Sequence, residues 1–89
     1  MTIVELLEQS IALARRSGYE VREEWMDGYS GGACEIKGRK CLFLDPTASP
    51  AEQLEVLLDV LWADESVCAI DISAELEQEL AATRRRNAA

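Results

Sequence analysis

Cys34, Cys41 and Cys68 are the three cysteines of this 89-residue chain, and the softest nucleophiles and metal ligands it has. Lys37, Arg39 and Lys40 lie beside the first two in sequence, and positive charge there could lower a thiol pKa. Glu35 and Asp45 are the neighbouring carboxylates that could serve as acid or base, Asp45 at a strand end before Pro46. Asp27–Gly32, DGYSGG, is the one glycine-rich stretch that could form an anion-binding loop.

Each feature has a plainer reading. The cysteines read first as reduced, inert core thiols, with a reactive thiol, or a metal site of three cysteines and a carboxylate, as alternatives. Their odd number and the lack of a C-x-x-C pair favour reduced thiols and a cytoplasmic protein. Glu35 reads as a solvent-facing strand residue and Asp45 as a loop former. DGYSGG matches neither phosphate-loop pattern, because no Lys-Ser/Thr follows it and a strand, not a helix, comes next. There is no histidine, which removes Ser-His-Asp and Cys-His nucleophile pairs and His-ligated zinc. No catalytic, cofactor-binding or metal residue is assigned, and no cofactor is expected.

The net charge of −8 and a pI near 4.4 make nucleic acid and anionic membrane poor partners. No apolar run approaches a bilayer span, and no leader pattern opens the chain. Every charged residue from Glu52 to Glu79 is acidic, before Arg84, Arg85 and Arg86. Solvated helix faces explain that pattern, and a docking face for a basic protein partner is the sharper reading.

The elements that would position these groups are legible as patterns. Thr2 and Glu5 form a capping box for a helix that Gly18 ends. Tyr19 to Met26 alternates as a first strand. Ala33–Lys37 and Cys41–Asp45 read as a hairpin about a Gly38-Arg39 type II′ turn. That register places Lys37 opposite Lys40 and leaves Cys34 and Cys41 diagonal, where a disulfide would be strained. Ser49, Pro50 and Glu52 open a second helix whose apolar arc, Leu54, Leu57, Leu58, Leu61 and Trp62, is widened by Val56 and Val60. Val67–Ile72 reads as extended, and so as a possible fourth strand, or else as an irregular connector. A last helix runs from near Ser73 to Arg85, and residues 87–89 fray.

The segment GGACEIKGRKCLFLDPTASPAEQ resembles part of the ImmA/IrrE-type zinc peptidases, with their Gly-x-Cys-like strand, KG-basic turn, hydrophobic strand and Ser-Pro-Glu-like helix cap. The resemblance implies a similar strand–strand–helix unit. The positions of that family's His-Glu-x-x-His motif fall at Asp59, Val60 and Ala63, so it implies the unit without the zinc or the activity. The chain also resembles short bacterial proteins built on the same hairpin–helix core.

The expected fold is one α+β domain over residues 1–86. It has an N-terminal helix, a three-stranded antiparallel meander and two helices packed on the sheet. In a meander the wholly apolar strand Cys41–Leu44 would be an edge, and an apolar edge needs a cover. The cover is either the C-terminal segment of this chain or a second copy, and with the over-apolar second helix a homodimer is the expected state, with Leu42, Phe43, Leu44, Val56, Val60 and Trp62 as its candidate interface. The expected function is a non-enzymatic protein–protein interaction module. A small-ligand or metal-binding domain, walled by DGYSGG and Asp45, or an inactive relative of the peptidases, is the alternative.

Overall fold

The computed structural model describes residues 1–25 and 31–88. The elements run α1 (Ile3–Arg16), β1 (Glu20–Glu23), β2 (Gly31–Ile36), β3 (Arg39–Leu44), α2 (Pro50–Leu61), a 3-10 turn (Glu65–Ala69) and α3 (Ala74–Asn87). The class is α+β, as expected.

Helix starts follow the capping chemistry of the sequence. The Glu5 N–H donates to the Thr2 hydroxyl at 3.1 Å, and the Thr2 N–H donates to the Glu5 carboxylate at 3.5 Å. Gly18 leaves α1 at a φ of 97°, the left-handed stop its position suggested. Ser49 accepts from the Glu52 N–H at 3.2 Å, with Pro50 in the first turn of α2. Ser73 caps α3, and its hydroxyl also donates to the Gln9 side chain at 2.6 Å, tying α3 to α1. α3 continues through Asn87, whose amide donates to the Thr83 carbonyl at 2.8 Å, so the last turn extends past the expected fraying point.

The sheet departs from the meander. Its order is β1-β3-β2, with β1 parallel to β3 and β2 antiparallel to it. β3 is therefore the central strand, and β1 covers the side for which a fourth strand or a second copy was expected. The reason lies in the side chains. Leu42 and Leu44 are fully buried and Cys41 nearly so, whereas β1 and β2 are mostly exposed. A strand apolar on both faces gains most from a central place, and polar-alternating strands tolerate the edges. β1 is also shorter than Tyr19–Met26, although the Glu24 N–H still donates to the Leu44 carbonyl at 3.0 Å.

The hairpin turn lies one residue earlier than expected, which shifts the pairing by two residues. The turn is Lys37-Gly38, with φ values of 51° and 79°. Two successive positive φ angles make a type I′ turn, whose twist suits a two-residue hairpin. Ile36 then faces Arg39, Glu35 faces Lys40, and Cys34 faces Cys41 directly.

Val67–Ile72 is not a fourth strand. Its first part is the 3-10 turn, followed by extended, unpaired backbone. Both sides of β3 are already occupied, and among the described residues the sheet has three strands.

The core lies between one sheet face and the helices. Leu6, Leu7 and Leu13 of α1 and Leu54, Leu57, Leu58 and Leu61 of α2 pack with Leu42 and Leu44. α1 and α2 lie against the sheet and each other, while α3 packs on those two helices through Leu76 and Leu80. No helix among the described residues is long and apolar enough to cross a membrane.

Leu57 is fully buried and Leu58 is 4% exposed. Truncating either to alanine is expected to lower stability by about 2–5 kcal/mol, read as a fall in the denaturant midpoint at unchanged slope. An unmoved midpoint would remove α2 from the centre of the core.

Candidate functional site

Lys40 stands on β3 in the alternation of Leu42 and Leu44, so it points to the helix-covered face. A lysine there needs partners for its charge, and the fold provides three. Its Nζ donates to the Asp64 carboxylate at 2.7 Å, to the Ser17 carbonyl at 3.0 Å and to the Ser66 hydroxyl at 3.4 Å. It also lies 4.3 Å from the centre of the Tyr19 ring. The Tyr19 hydroxyl donates to the same Asp64 oxygen at 2.7 Å. The other Asp64 oxygen accepts from the Ser66 N–H at 2.9 Å and hydroxyl at 2.6 Å, capping the 3-10 turn.

The electrostatics follow from that geometry. Desolvation would raise the Asp64 pKa, but hydrogen bonds from Lys40, Ser66 and Tyr19 outweigh it and hold the carboxyl well below its usual range. Partial burial, then the hydrogen bond and charge of Asp64, push Tyr19 up to about 12. Asp64 is thus a poor base and Tyr19 a poor acid near neutrality. The cluster is a clamp joining the end of α1, β3 and the 3-10 turn.

The residues singled out in the sequence scatter around this clamp. The turn of Lys40 toward Asp64 takes it away from Cys34 and Cys41, which project from the opposite sheet face. Asp45 is buried and turned into its own loop. Its carboxylate accepts from the Thr47 N–H at 2.8 Å and hydroxyl at 2.7 Å, and its carbonyl accepts from the Gln53 amide at 2.8 Å. Glu35 is exposed on β2. Met26–Ser30, with most of DGYSGG, lies outside the described residues, and Gly31 and Gly32 open β2.

The cysteines differ from the expected buried set: only Cys41 is buried, while Cys34 and Cys68 are exposed. Cys68 sits on the 3-10 turn, far from a shared site with the other two. Among the described residues no three metal-ligating side chains gather around one point.

Of the expected interface, Leu42 and Leu44 are interior residues of the single chain at 0% exposure, because β3 is central. They cannot reach a partner in this fold. Phe43 is half-buried on the other sheet face, and Val56, Val60 and Trp62 are half-buried at the flanks of α2. Trp62 borders a cleft of about 430 Å³ with an apolar floor of Leu61, Val67 and Leu80 and a rim bearing Asp71, Glu77 and Arg84. Asp59, Val60 and Ala63, the positions compared with the peptidase motif, line a shallower hollow beside Tyr19, Lys40 and Asp64.

Sequence reasoning passed over the clamp. Lys40 and Asp64 are 24 residues apart, and no spacing rule joins them. The only local signal was Asp64-Glu65-Ser66, a residue pattern suited to capping a turn.

Tyr19 makes stability fall at high pH. Its folded pKa exceeds the ordinary tyrosine value of 10.0, so its contribution is complete below pH 10 and is lost as pH rises toward 12. Asp64 acts at the other end, contributing above the ordinary aspartate value of 3.8 and losing that contribution as pH falls. Denaturant midpoints across pH should show the alkaline fall, and Tyr19→Phe should flatten it. An equal fall in the variant would dissociate it from Tyr19.

Comparison with protein-family models, with curated proteins and with solved structures finds no match to this chain.

Proposed function

We propose that this chain is a non-enzymatic protein–protein interaction module that acts as a homodimer, pairing through the outer edge of β2. The observation that carries the reading is the position of β2: it is a six-residue edge strand in the order β1-β3-β2. The outer side of such a strand presents backbone donors and acceptors to a further strand.

Self-pairing fits the residues. In an antiparallel pair centred on Ala33, Glu35 faces Gly31 of the partner subunit, so its charge meets no like charge. The hairpin end carries Lys37 and Arg39, whereas Glu52–Glu79 is acidic throughout. The cations at this hairpin end offset part of the repulsion between two copies of an acidic chain. α2 packs over β2, and its half-buried Val56 and Val60 stand beside this edge as added apolar area.

The turn identifies the backbone groups to test. Ile36 and Arg39 flank a two-residue turn and form a hydrogen-bonded pair, so Cys34 and Gly32 also bond inward while Glu35, Ala33 and Gly31 point outward. Ala33→Pro removes one outward N–H and spares the ladder to β3. Sedimentation velocity from low to high micromolar concentration should show a dimer for the parent chain and a monomer for Ala33→Pro, with matching circular dichroism. A parent chain that stays monomeric throughout, or a proline variant that still dimerises, would refute the pairing.

The cleft beside Trp62 favours a second reading as a small-ligand domain, since its volume lies within the range of roughly 300–1,000 Å³ typical of ligand pockets. Native mass spectrometry of the purified protein should then show a retained mass that Trp62→Ala releases, and a bare chain would argue against a tight ligand.

A further inference from the structure

Cys34 and Cys41 face each other directly across β2 and β3 and project from the same side of the sheet. That side is opposite Leu42 and Leu44, and neither Cys41 nor Phe43 belongs to the helix-packed core. Directly opposed residues in an antiparallel pair have Cα atoms about 4.5–5.5 Å apart, within the 4.4–6.8 Å that a disulfide spans. The two thiols differ in access, Cys34 being exposed and Cys41 2% exposed.

We propose that Cys34 and Cys41 form a cross-strand dithiol site that undergoes reversible thiol–disulfide exchange with small-molecule disulfides, Cys34 attacking and Cys41 resolving. Exposure assigns the first role. The Cys34 thiolate attacks one sulfur of the incoming disulfide, that S–S bond breaks, and one small thiolate leaves. Cys41 is screened from a bulky oxidant but lies beside the new mixed disulfide. Its thiolate attacks the Cys34 sulfur, the Cys34–Cys41 bond forms, and the second small thiolate leaves. The two protein thiol protons end on the two released thiols, so two protein thiols and one disulfide give one protein disulfide and two thiols. Glu20 stands opposite Cys41 on β1, and the Cys41 thiol donates to its carboxylate at 4.0 Å, which gives the departing proton an acceptor.

The position of the pair also accounts for reversibility. The turn parity makes Cys34–Cys41 a hydrogen-bonded pair, the wider of the two pair types. Closing a disulfide there draws the side chains together, and exposed, strained disulfides exchange readily. The bond would close a hairpin that the Lys37-Gly38 turn has already closed, so it alters thiol chemistry and the edge surface of β2 more than the fold. The site does not depend on dimerisation, because both thiols belong to one chain.

Oxidised glutathione is the probe. The folded chain, incubated with it, then denatured and alkylated, should take up one alkyl group in place of three, having lost two hydrogens at the linked pair, and should take up three again after reduced glutathione. Trypsin cuts after Lys37 and Lys40 and separates Cys34 from Cys41, and a further cut at acidic residues separates Cys41 from Cys68. The digest should therefore show a Cys34–Cys41 linked pair. Cys68→Ser should keep the two-hydrogen loss and Cys34→Ser should abolish it. Cys41→Ser, which stops resolution, should instead accumulate a glutathione adduct on Cys34. Direct mapping in the parent chain stands even if the buried Cys41→Ser variant fails to fold. A lasting glutathione adduct on parental Cys34, a bond to Cys68, or an intermolecular disulfide in place of the Cys34–Cys41 link would overturn the proposal.

Discussion

Cys41, Leu42, Phe43 and Leu44 place apolar side chains on both faces of one strand, and the rest of the structure accommodates that strand. Water is kept from both its edges only if neighbours flank it. β1 and β2 take the two sides, and α1 and α2 close over Leu42 and Leu44. The parallel β1–β3 pair is the topological consequence. A simple meander would have left the most apolar strand at an edge.

Lys40 is the polar exception in this arrangement. It occupies a helix-facing position where the sheet meets the ends of α1 and α2, and its charge is met by Asp64, the Ser17 carbonyl and the Tyr19 ring. Asp64 serves two structures at once, receiving Lys40 and Tyr19 on one oxygen and capping the 3-10 turn on the other. The same residue that neutralises a strand lysine therefore sets the path after α2. An extended Val67–Ile72 would have had no vacant side of β3 to join. Val67 instead turns inward as the only fully buried residue of that turn.

The surfaces left over define the functional reading. The helix-covered face is spent on the core, and in the clamp beside it Asp64 is held ionised and Tyr19 protonated. Among the described residues the sheet has two outer edges, those of β1 and β2, and an opposite face on which Cys34 and Cys41 meet. An edge offers backbone pairing and a dithiol offers exchange. Both depend on the place of the hairpin turn, because moving it by one residue shifts the pairing by two and takes Cys34 from a diagonal to a direct partner of Cys41.

Local chemistry was legible in the residues themselves. Thr2 with Glu5, Ser49 with Pro50, Ser73 and Gly18 marked the helix ends correctly, because caps involve residues three or four apart. The apolar spacing of Leu54, Leu57, Leu58 and Leu61 likewise identified the buried side of α2. Strand order, hairpin register and the clamp were not legible, because each is decided between residues remote in sequence. Gly38 fits either of two neighbouring turns, and the one observed has Lys37 accepting a positive φ. Sequence determined that β3 must be covered on both sides. Only tertiary packing decided that β1 covers it, since one chain can satisfy that demand without a second copy.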